Sequence, residues 1–444
     1  MSLEYDRGTL VLRGVGRAPR PFTFDPRCMA WRCLAYMYPS VLDELRSMGV
    51  EVEDRVLDLV RGRLEVREAL QLRPYQREAL EAWASHGRRG VVVLPTGAGK
   101  THVGLAAIVE AGGPALIVVP TLELVDQWEA AVRRYFKVDV GRVGGGVKEV
   151  GFITIATYDS AHLNVEALGN RFKLMVFDEV HHLPAPSYRQ IAEMSAAPYR
   201  LGLTATPERA DMLHEDLAHL VGPIVYRRGP EELKGGYLAD FEVVTVKVPL
   251  SEEERRRYAE LRDRYRAFLA RRGIKFRGAR DFSKLIAMTS SDREAWEALA
   301  AWREMRRIAF NASRKVEAIK GILARHRGDK VIIFSDDAEF VRQLSRELLI
   351  PEVTYKVDEE ERRAVMEMFR RGDVRVIATS RALEEGVDVP DARVAIVVSG
   401  TSTRRQFIQR LGRVLRPKEG KAVLYELVTR GTVEVDVARR RKAQ

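Results

Sequence analysis

Cysteine is nearly absent: Cys28 and Cys33 are the only two in 444 residues. Two thiols without a nearby histidine pair build neither a disulfide framework nor a zinc site, and they read as small buried hydrophobes in a reducing compartment. Asparagine is limited to Asn164, Asn170 and Asn311, while arginine and glutamate abound. That mix correlates with heat-adapted proteins. No apolar run approaches the ~18 residues of a membrane span. The N-terminal MSLEYDRGTL carries early acids and no apolar signal core. These absences leave nothing that directs secretion, so a cytoplasmic protein without a membrane partner is expected. Negative charge is in deficit: 74 Lys and Arg face 63 Asp and Glu, a net charge of +11. Such a surplus favours a polyanionic partner.

The length suggests two or three domains. Residues 1–66 read as a small α+β unit. TLVLRGV at 9–15 is expected to be a strand, Ala30 to Tyr38 a helix, and the segment after it a helix, a stop at Gly49 and a strand. Phe22, Phe24, Trp31, Tyr36 and Tyr38 are read as core. From Val91 the chain alternates apolar strands with helices: VVVL (91–94), ALIVVP (115–120), FITIAT (152–157), LMVFDEV (174–180) and RLGLTAT (200–206). Strands this uniformly apolar are covered on both faces, so the fold class is α/β with a parallel, doubly wound sheet. A second block comes later, with KVIIFS (330–335), VRVIATS (374–380), VAIVVSG (394–400) and AVLYELV (422–428).

The first strand runs into a P-loop, Leu94-Pro-Thr-Gly-Ala-Gly-Lys-Thr101, with an apolar helix after it. The backbone of Thr96, Gly97, Ala98 and Gly99 is expected to cradle phosphates, Lys100 to bridge the β- and γ-phosphates of ATP, and the Thr101 hydroxyl to ligate Mg²⁺. The pattern's first position holds Leu94 in place of Gly or Ala. Upstream, Arg73 and Gln76 open an amphipathic helix carrying Leu80 and Trp83. The Gln76 amide matches the hydrogen-bonding edge of adenine, and Arg73 is placed against the base.

Ligands of doubly wound sheets sit at the carboxyl ends of the strands. There the chain supplies Asp178, to hold Mg²⁺, and Glu179, to polarise the attacking water. Thr121, Thr157 and Tyr158 end other strands and are expected to donate to a nucleic-acid backbone. The second block has no P-loop. Its helix QRLGRVLR (409–416) places Arg413 and Arg416 on one face, and these are expected to serve the first block's nucleotide. Between the blocks, at 251–310, lies a helical insertion with an apolar stripe of Tyr258, Leu261, Tyr265 and Phe268. From Arg255 to Arg280 it is crowded with arginine, and its only acids are Glu260 and Asp263. Arg271, Arg272 and Lys275 are expected to face DNA phosphates.

Gln76, the P-loop, PTLELVDQW (120–128), TIATYDSA (154–161), DEVH (178–181), TAT (204–206), ALEEGVD (382–388) and QRLGRVLR, in that order, resemble a superfamily 2 helicase. FDEVHHLPAPSY, LGLTATPER and IQRLGRVLRP bring the resemblance closest to archaeal XPB. It implies a damage-recognition-like domain at 1–66, a RecA-like domain at 67–240 and a second at 241–444, with a thumb-like insertion at 251–310. It also implies nucleotide roles for Asp388 and Gln409, and a DNA-contacting Arg-Glu-Asp loop after the TAT motif. Here that loop is Arg209-Ala210-Asp211, without its middle acid. The implied function is ATP-dependent DNA opening in nucleotide excision repair or related DNA processing, with single-stranded, forked or damaged DNA as the partner and a nuclease as a further implied partner. An RNA remodeller and a DNA-binding ATP switch that stimulates a nuclease are the alternatives built on the same motor.

Overall fold

The computed structural model describes residues 1–49, 51–95, 97–208, 212–229, 232, 241–274, 285–380, 392–399 and 422–443. Thr96, Arg209, Ala210, Asp211, Lys275, Asp388, Gln409, Arg413 and Arg416 lie outside the described residues.

The N-terminal sheet contains β1 (Ser2–Asp6), β2 (Thr9–Arg13), β3 (Thr23–Asp25), β4 (Ala30–Leu34) and β5 (Glu53–Arg55), in the order β3-β4-β2-β1-β5. Ala30–Leu34 is thus a strand, against the expected helix. Its Trp31 and Cys33 pair with Leu12 and Leu10, and cross-strand pairing overrides a weak local helix signal. The helix begins only at Tyr38. Leu3, Leu10, Leu12, Tyr38, Val41 and Leu45 form the core. Phe22 belongs to it, but Phe24 is exposed and meets Trp31 edge-on. Cys33 is buried and Cys28 only half-buried. Hydrogen bonds tie this sheet to the neighbouring domain. Tyr5 donates to the Met194 carbonyl at 3.0 Å, and the Asn170 amide donates to the Val56 carbonyl at 2.9 Å.

The next sheet has eight strands. β6 (Glu65–Val66) and β9 (Phe136–Lys137) pair apart from it. Its members are β7 (Arg89–Val93), β8 (Ala115–Val119), β10 (Val140–Gly144), β11 (Val147–Lys148), β12 (Ile153–Thr157), β13 (Leu174–Asp178), β14 (Tyr199–Thr204) and β15 (Ile224–Arg227). They run β11-β10-β12-β8-β13-β14-β7-β15, and only the β10–β11 pairing is antiparallel. Alternate residues feed two cores: Val92, Ile117, Val119, Val176 and Leu203 on one face, Val91, Val93, Leu116, Val118 and Phe177 on the other. Each such side chain stabilises by roughly 1.5–3 kcal/mol on burial, which is why these strands have no polar face. The edge strands β11 and β15 escape that pattern, being short and exposed or only partly buried.

The second unit holds β16 (Phe241–Val248), β17 (Val331–Phe334), β18 (Glu352–Val353), β19 (Val376–Thr379), β20 (Val394–Val397) and β21 (Ala422–Thr429) in an all-parallel sheet, β16-β21-β20-β17-β19-β18. The insertion after β16 is a helical pair, Glu252–Arg271 and Arg293–Phe310. Ser251 caps the first helix in a capping box with Glu254. The predicted stripe packs inward: Tyr258 and Leu261 meet Met305 and Ile308, and Phe268 meets Ala295 and Leu299. No described helix is long and apolar enough to cross a membrane.

Candidate active site

The site lies at the carboxyl ends of β7, β14 and β13, three neighbouring strands. β7 leads into the P-loop, and Lys100 opens the helix Lys100–Ala111. Leu94 is fully buried and its N–H donates to the Thr204 carbonyl at 3.0 Å. The departure at this position therefore fills core and lies before the phosphate-binding turn. Gly99, the N-cap, has φ +77, and a Cβ there would lie 2.4 Å from the Gln76 amide nitrogen. Both the backbone conformation and the close approach require glycine.

Gln76 is buried. Its Nε2 donates to the Ala98 carbonyl at 2.7 Å, and its Oε1 accepts from the Arg73 N–H at 2.9 Å. The amide is turned onto the loop backbone, fastening the helix Pro74–Ser85 to the P-loop. Arg73 is exposed beside it. The Tyr75 hydroxyl also donates to the Ala98 carbonyl, at 2.9 Å. Sequence inspection paired Gln76 with adenine and gave no sign of this brace.

Lys100 is 5% exposed. Its ammonium lies 3.3 Å from Glu179 Oε1 and has no hydrogen-bond partner. A buried ammonium with one charge contact and three donors to satisfy is costly, and the phosphate chain of a nucleotide supplies the acceptors it needs. Glu179 adopts a left-handed backbone, φ +47, a strained conformation held where surrounding contacts over-determine it. Its Oε2 accepts from the Thr204 hydroxyl at 3.3 Å and lies 3.5 Å from His181 Nδ1. His181 Nδ1 is also 3.2 Å from the Thr204 hydroxyl. The structure thus joins the DEVH and TAT motifs in one polar triangle facing Lys100.

Asp178 is buried and oriented twice over. Its Oδ1 accepts from the Glu179 N–H at 3.0 Å and its Oδ2 from Trp128 Nε1 at 2.9 Å. The Trp128 ring crosses the P-loop helix at Gly104, where a Cβ would lie 2.6 Å from the indole. Sequence inspection missed both residues. A tryptophan ending the motif PTLELVDQW and a glycine inside an apolar helix were the available signals. Among the described residues, no cluster of three or more His, Cys, Asp or Glu forms a metal site by itself. Thr101, half-buried in the first helical turn, and Asp178 are the oxygen donors at hand. Mg²⁺ that arrives on phosphates needs only one or two such protein ligands.

The expected DNA contacts fare unevenly. Tyr158 is corrected: its side chain is 2% exposed and its hydroxyl donates to the Asp178 carbonyl at 3.1 Å. Burial raises its phenol pKa well above the usual value. It supports the end of β13 from within the core and cannot reach a nucleic acid. The Thr121 and Thr157 hydroxyls cap helices, accepting from the N–H groups of Leu124 at 3.4 Å and Ser160 at 3.2 Å. Their caps leave helix N-termini at the same sheet edge, and such termini favour anions.

Arg271 and Arg272 are not the unopposed charges expected. Arg271 lies 3.6 Å from Glu294, and Arg272 lies 2.7 Å from Asp292. The acids come from the second helix of the pair and its N-cap, which a count of charges along the first helix does not include.

Three family models match the chain: the Xeroderma pigmentosum group B helicase damage recognition domain over residues 3–56, the type III restriction enzyme res subunit over 69–209, and the ERCC3/RAD25/XPB C-terminal helicase over 287–444. The DNA 3'-5' translocase XPB2 of Sulfurisphaera tokodaii is 46% identical over 93% of this chain and 94% of its own length. The DNA 3'-5' helicase XPB of Mycobacterium tuberculosis is 33% identical over 85% of this chain and 64% of its own. The crystal structure of the Pyrococcus furiosus Hef helicase domain superposes with a TM-score of 0.56 at 20% identity, over 83% of this chain and 98% of that one. That last likeness concerns the fold alone and agrees with two RecA-like sheets. With its P-loop, its DEVH carboxylates and these matches, the chain belongs to the XPB family of DNA helicases and translocases.

Proposed function

We propose that the protein is an ATP-fuelled motor that moves 3' to 5' on DNA, the direction carried in its relatives' names. The observation that carries the site assignment is the buried Lys100 ammonium, unmatched by hydrogen bonds and facing Glu179. Lys100 and the loop backbone hold the phosphates, with Thr101 and Asp178 as ligands for Mg²⁺, which neutralises charge on the phosphates when bound. Glu179, steadied by Thr204 and His181, orients and deprotonates the water. In the nucleotide-bound state Lys100 exchanges its contact with Glu179 for phosphate, which releases the carboxylate to act as base. Gln76 links adenine recognition to the P-loop through the amide that braces Ala98, with Arg73 at the base. Gln409, Arg413, Arg416 and Asp388 supply the second unit's share, as the family resemblance implies.

The same proposal assigns DNA contacts to Arg209 and Asp211 and to the caps of Thr121 and Thr157. It divides the chain at about 66 and 240, with the thumb at 251–310. A nuclease partner and a cytoplasmic setting belong to the proposal on family grounds alone. Hydrolysis of ATP should be stimulated by single-stranded or forked DNA more than by RNA. Lys100→Ala should lower turnover by at least ~10²-fold, the scale of losing one preorganised charge-stabilising group, with DNA binding retained. Undiminished turnover in that variant rejects the site. Stronger stimulation by RNA rejects the substrate.

A further inference from the structure

On and just after the first helix of the insertion, Arg255 meets Glu252, Arg257 meets Glu260, Arg264 meets Glu297 and Arg272 meets Asp292. Arg256 and Arg266 are exposed, and the aromatic rings of Tyr258 and Phe268 on that helix are buried. The second helix, Arg293–Phe310, differs in carrying an exposed aromatic ring. Its inner face buries Ala295, Ala298, Leu299, Met305 and Ile308. Trp296, Arg303 and Arg307 recur at helical spacing on the other side. Trp296 is 59% exposed, an unusual setting for so large an apolar ring. Arg303 makes no ion pair or hydrogen bond among the described residues. Arg306 stacks between Trp302 and Phe310, at 4.8 and 5.0 Å, with the charge of Asp336 acting on it. Arg307 is held by Glu304 of its own helix at 2.7 Å.

Arg303, Arg306 and Arg307 line a cavity of about 400 Å³ with Tyr355, Asp336 and Ser399. Ser399 comes just after β20 and Asp336 just after β17, so the cavity lies at the carboxyl edge of the second sheet. Tyr355 is 70% exposed. The other acids lining the cavity are engaged: Asp337 caps the helix Ala338–Leu348, and Glu339 pairs with Lys356. A second exposed aromatic therefore stands beside the same arginines. From Trp296 to Arg307 the helix advances about 16 Å at 1.5 Å per residue, enough for a few nucleotides. Aromatic platforms interleaved with cations are what sequence-tolerant binding of a single strand requires.

We infer that this outer face is a single-stranded DNA track, with Trp296 and Tyr355 stacking bases and Arg303 and Arg307 meeting the phosphates between them. The inference rests on the DNA-motor reading and moves the main thumb contact from the first helix to the second. The near balance of charge in the cavity suits a base, and Arg303, free of carboxylates, suits the phosphate at its rim.

The test uses the full chain and two fluorescent oligonucleotides of equal length, one of thymidines and one abasic. Trp296→Ala should weaken binding of the thymidine strand at least about fivefold, the low end of a lost base stack, and leave the abasic strand unchanged. Trp296→Phe should restore most of the loss. Arg303→Ala should weaken both strands and flatten the slope of log affinity against log salt by about 0.7. DNA-independent ATP turnover should be unchanged in all three. Equal losses on both strands with Trp296→Ala, or unaltered affinity in the folded variant, overturn the track. The second result would leave Trp296 as a protein-docking residue. An unchanged salt slope with Arg303→Ala also overturns it. Wild-type protein that binds neither oligonucleotide contradicts the DNA-motor reading itself, whereas DNA-stimulated turnover with insensitive variants contradicts the track alone.

Discussion

Trp128 shows how far Asp178, the carboxylate proposed to hold Mg²⁺, depends on a residue with no chemistry of its own. Its indole N–H holds Asp178 Oδ2 at 2.9 Å in a buried site, so removing the donor leaves that oxygen short of a partner. Trp128→Phe keeps most of the ring and loses the bond. It should lower turnover about 10–100-fold, the usual effect of removing an outer partner of a metal-ligating group, and raise the Mg²⁺ concentration for half-maximal activity. Mg²⁺ titration of ATP turnover in the folded variant checks this. For Arg413, substitution by Ala should cost about 10³-fold in turnover at saturating ATP, the low end of arginine-finger effects, with a smaller effect on nucleotide affinity. A fall in affinity at unchanged maximal turnover would make Arg413 a binding residue only. Lys100, Asp178 and Glu179 were legible in the sequence because their spacing to strands is fixed by the chemistry they serve. Trp128 and Gly104 were not, because their partners lie far away in sequence.

Between elements, the same contrast holds. Central strands were legible from apolar content alone, since both faces are covered. Strand β4 was misread because its partner β2 decides its conformation, and a single segment does not show its partner. Arg200 reads in the sequence as no more than the start of a strand. It is fully buried, with its guanidinium donating to the carbonyls of Ser195, Ala197 and Leu220, and the Trp83 indole N–H donates to the Arg200 carbonyl at 2.9 Å. The second unit has an equivalent staple. Lys315 is fully buried, and its ammonium donates to Glu434 at 2.9 Å and to the carbonyls of Phe310 and Val398 at 2.9 and 2.7 Å. It ties the end of the thumb helix and the end of β20 to the C-terminal helix Val433–Ala443. Lys315→Met should destabilise by about 3–5 kcal/mol, because it leaves Glu434 buried without its counter-charge. Adding Glu434→Gln should recover part of that loss. Thermal unfolding of the single and double variants checks the order, and a double variant no more stable than the single would contradict it.

At the scale of the whole molecule, charge and exposure divide the labour. The net charge of +11 belongs to the whole chain, and thumb arginines such as Arg264 and Arg272 meet carboxylates, so the excess alone did not reveal a DNA surface. Arg303, which has no carboxylate partner among the described residues, shares a cavity with the exposed Tyr355 and a helix face with the exposed Trp296. The proposed nucleotide machinery is drawn from β7, β13 and β14 of one sheet, and the proposed strand track from the other unit. A motor of this kind converts turnover at the first into movement along the second. The most direct measurement is ATP-driven displacement of streptavidin from single-stranded DNA biotinylated at one end or the other. A motor running 3' to 5' should clear the 5' end, need ATP and Mg²⁺, and lose that ability in Lys100→Ala while the variant still binds the strand. Clearance of the 3' end alone, or displacement that persists without ATP or in Lys100→Ala, would contradict the account.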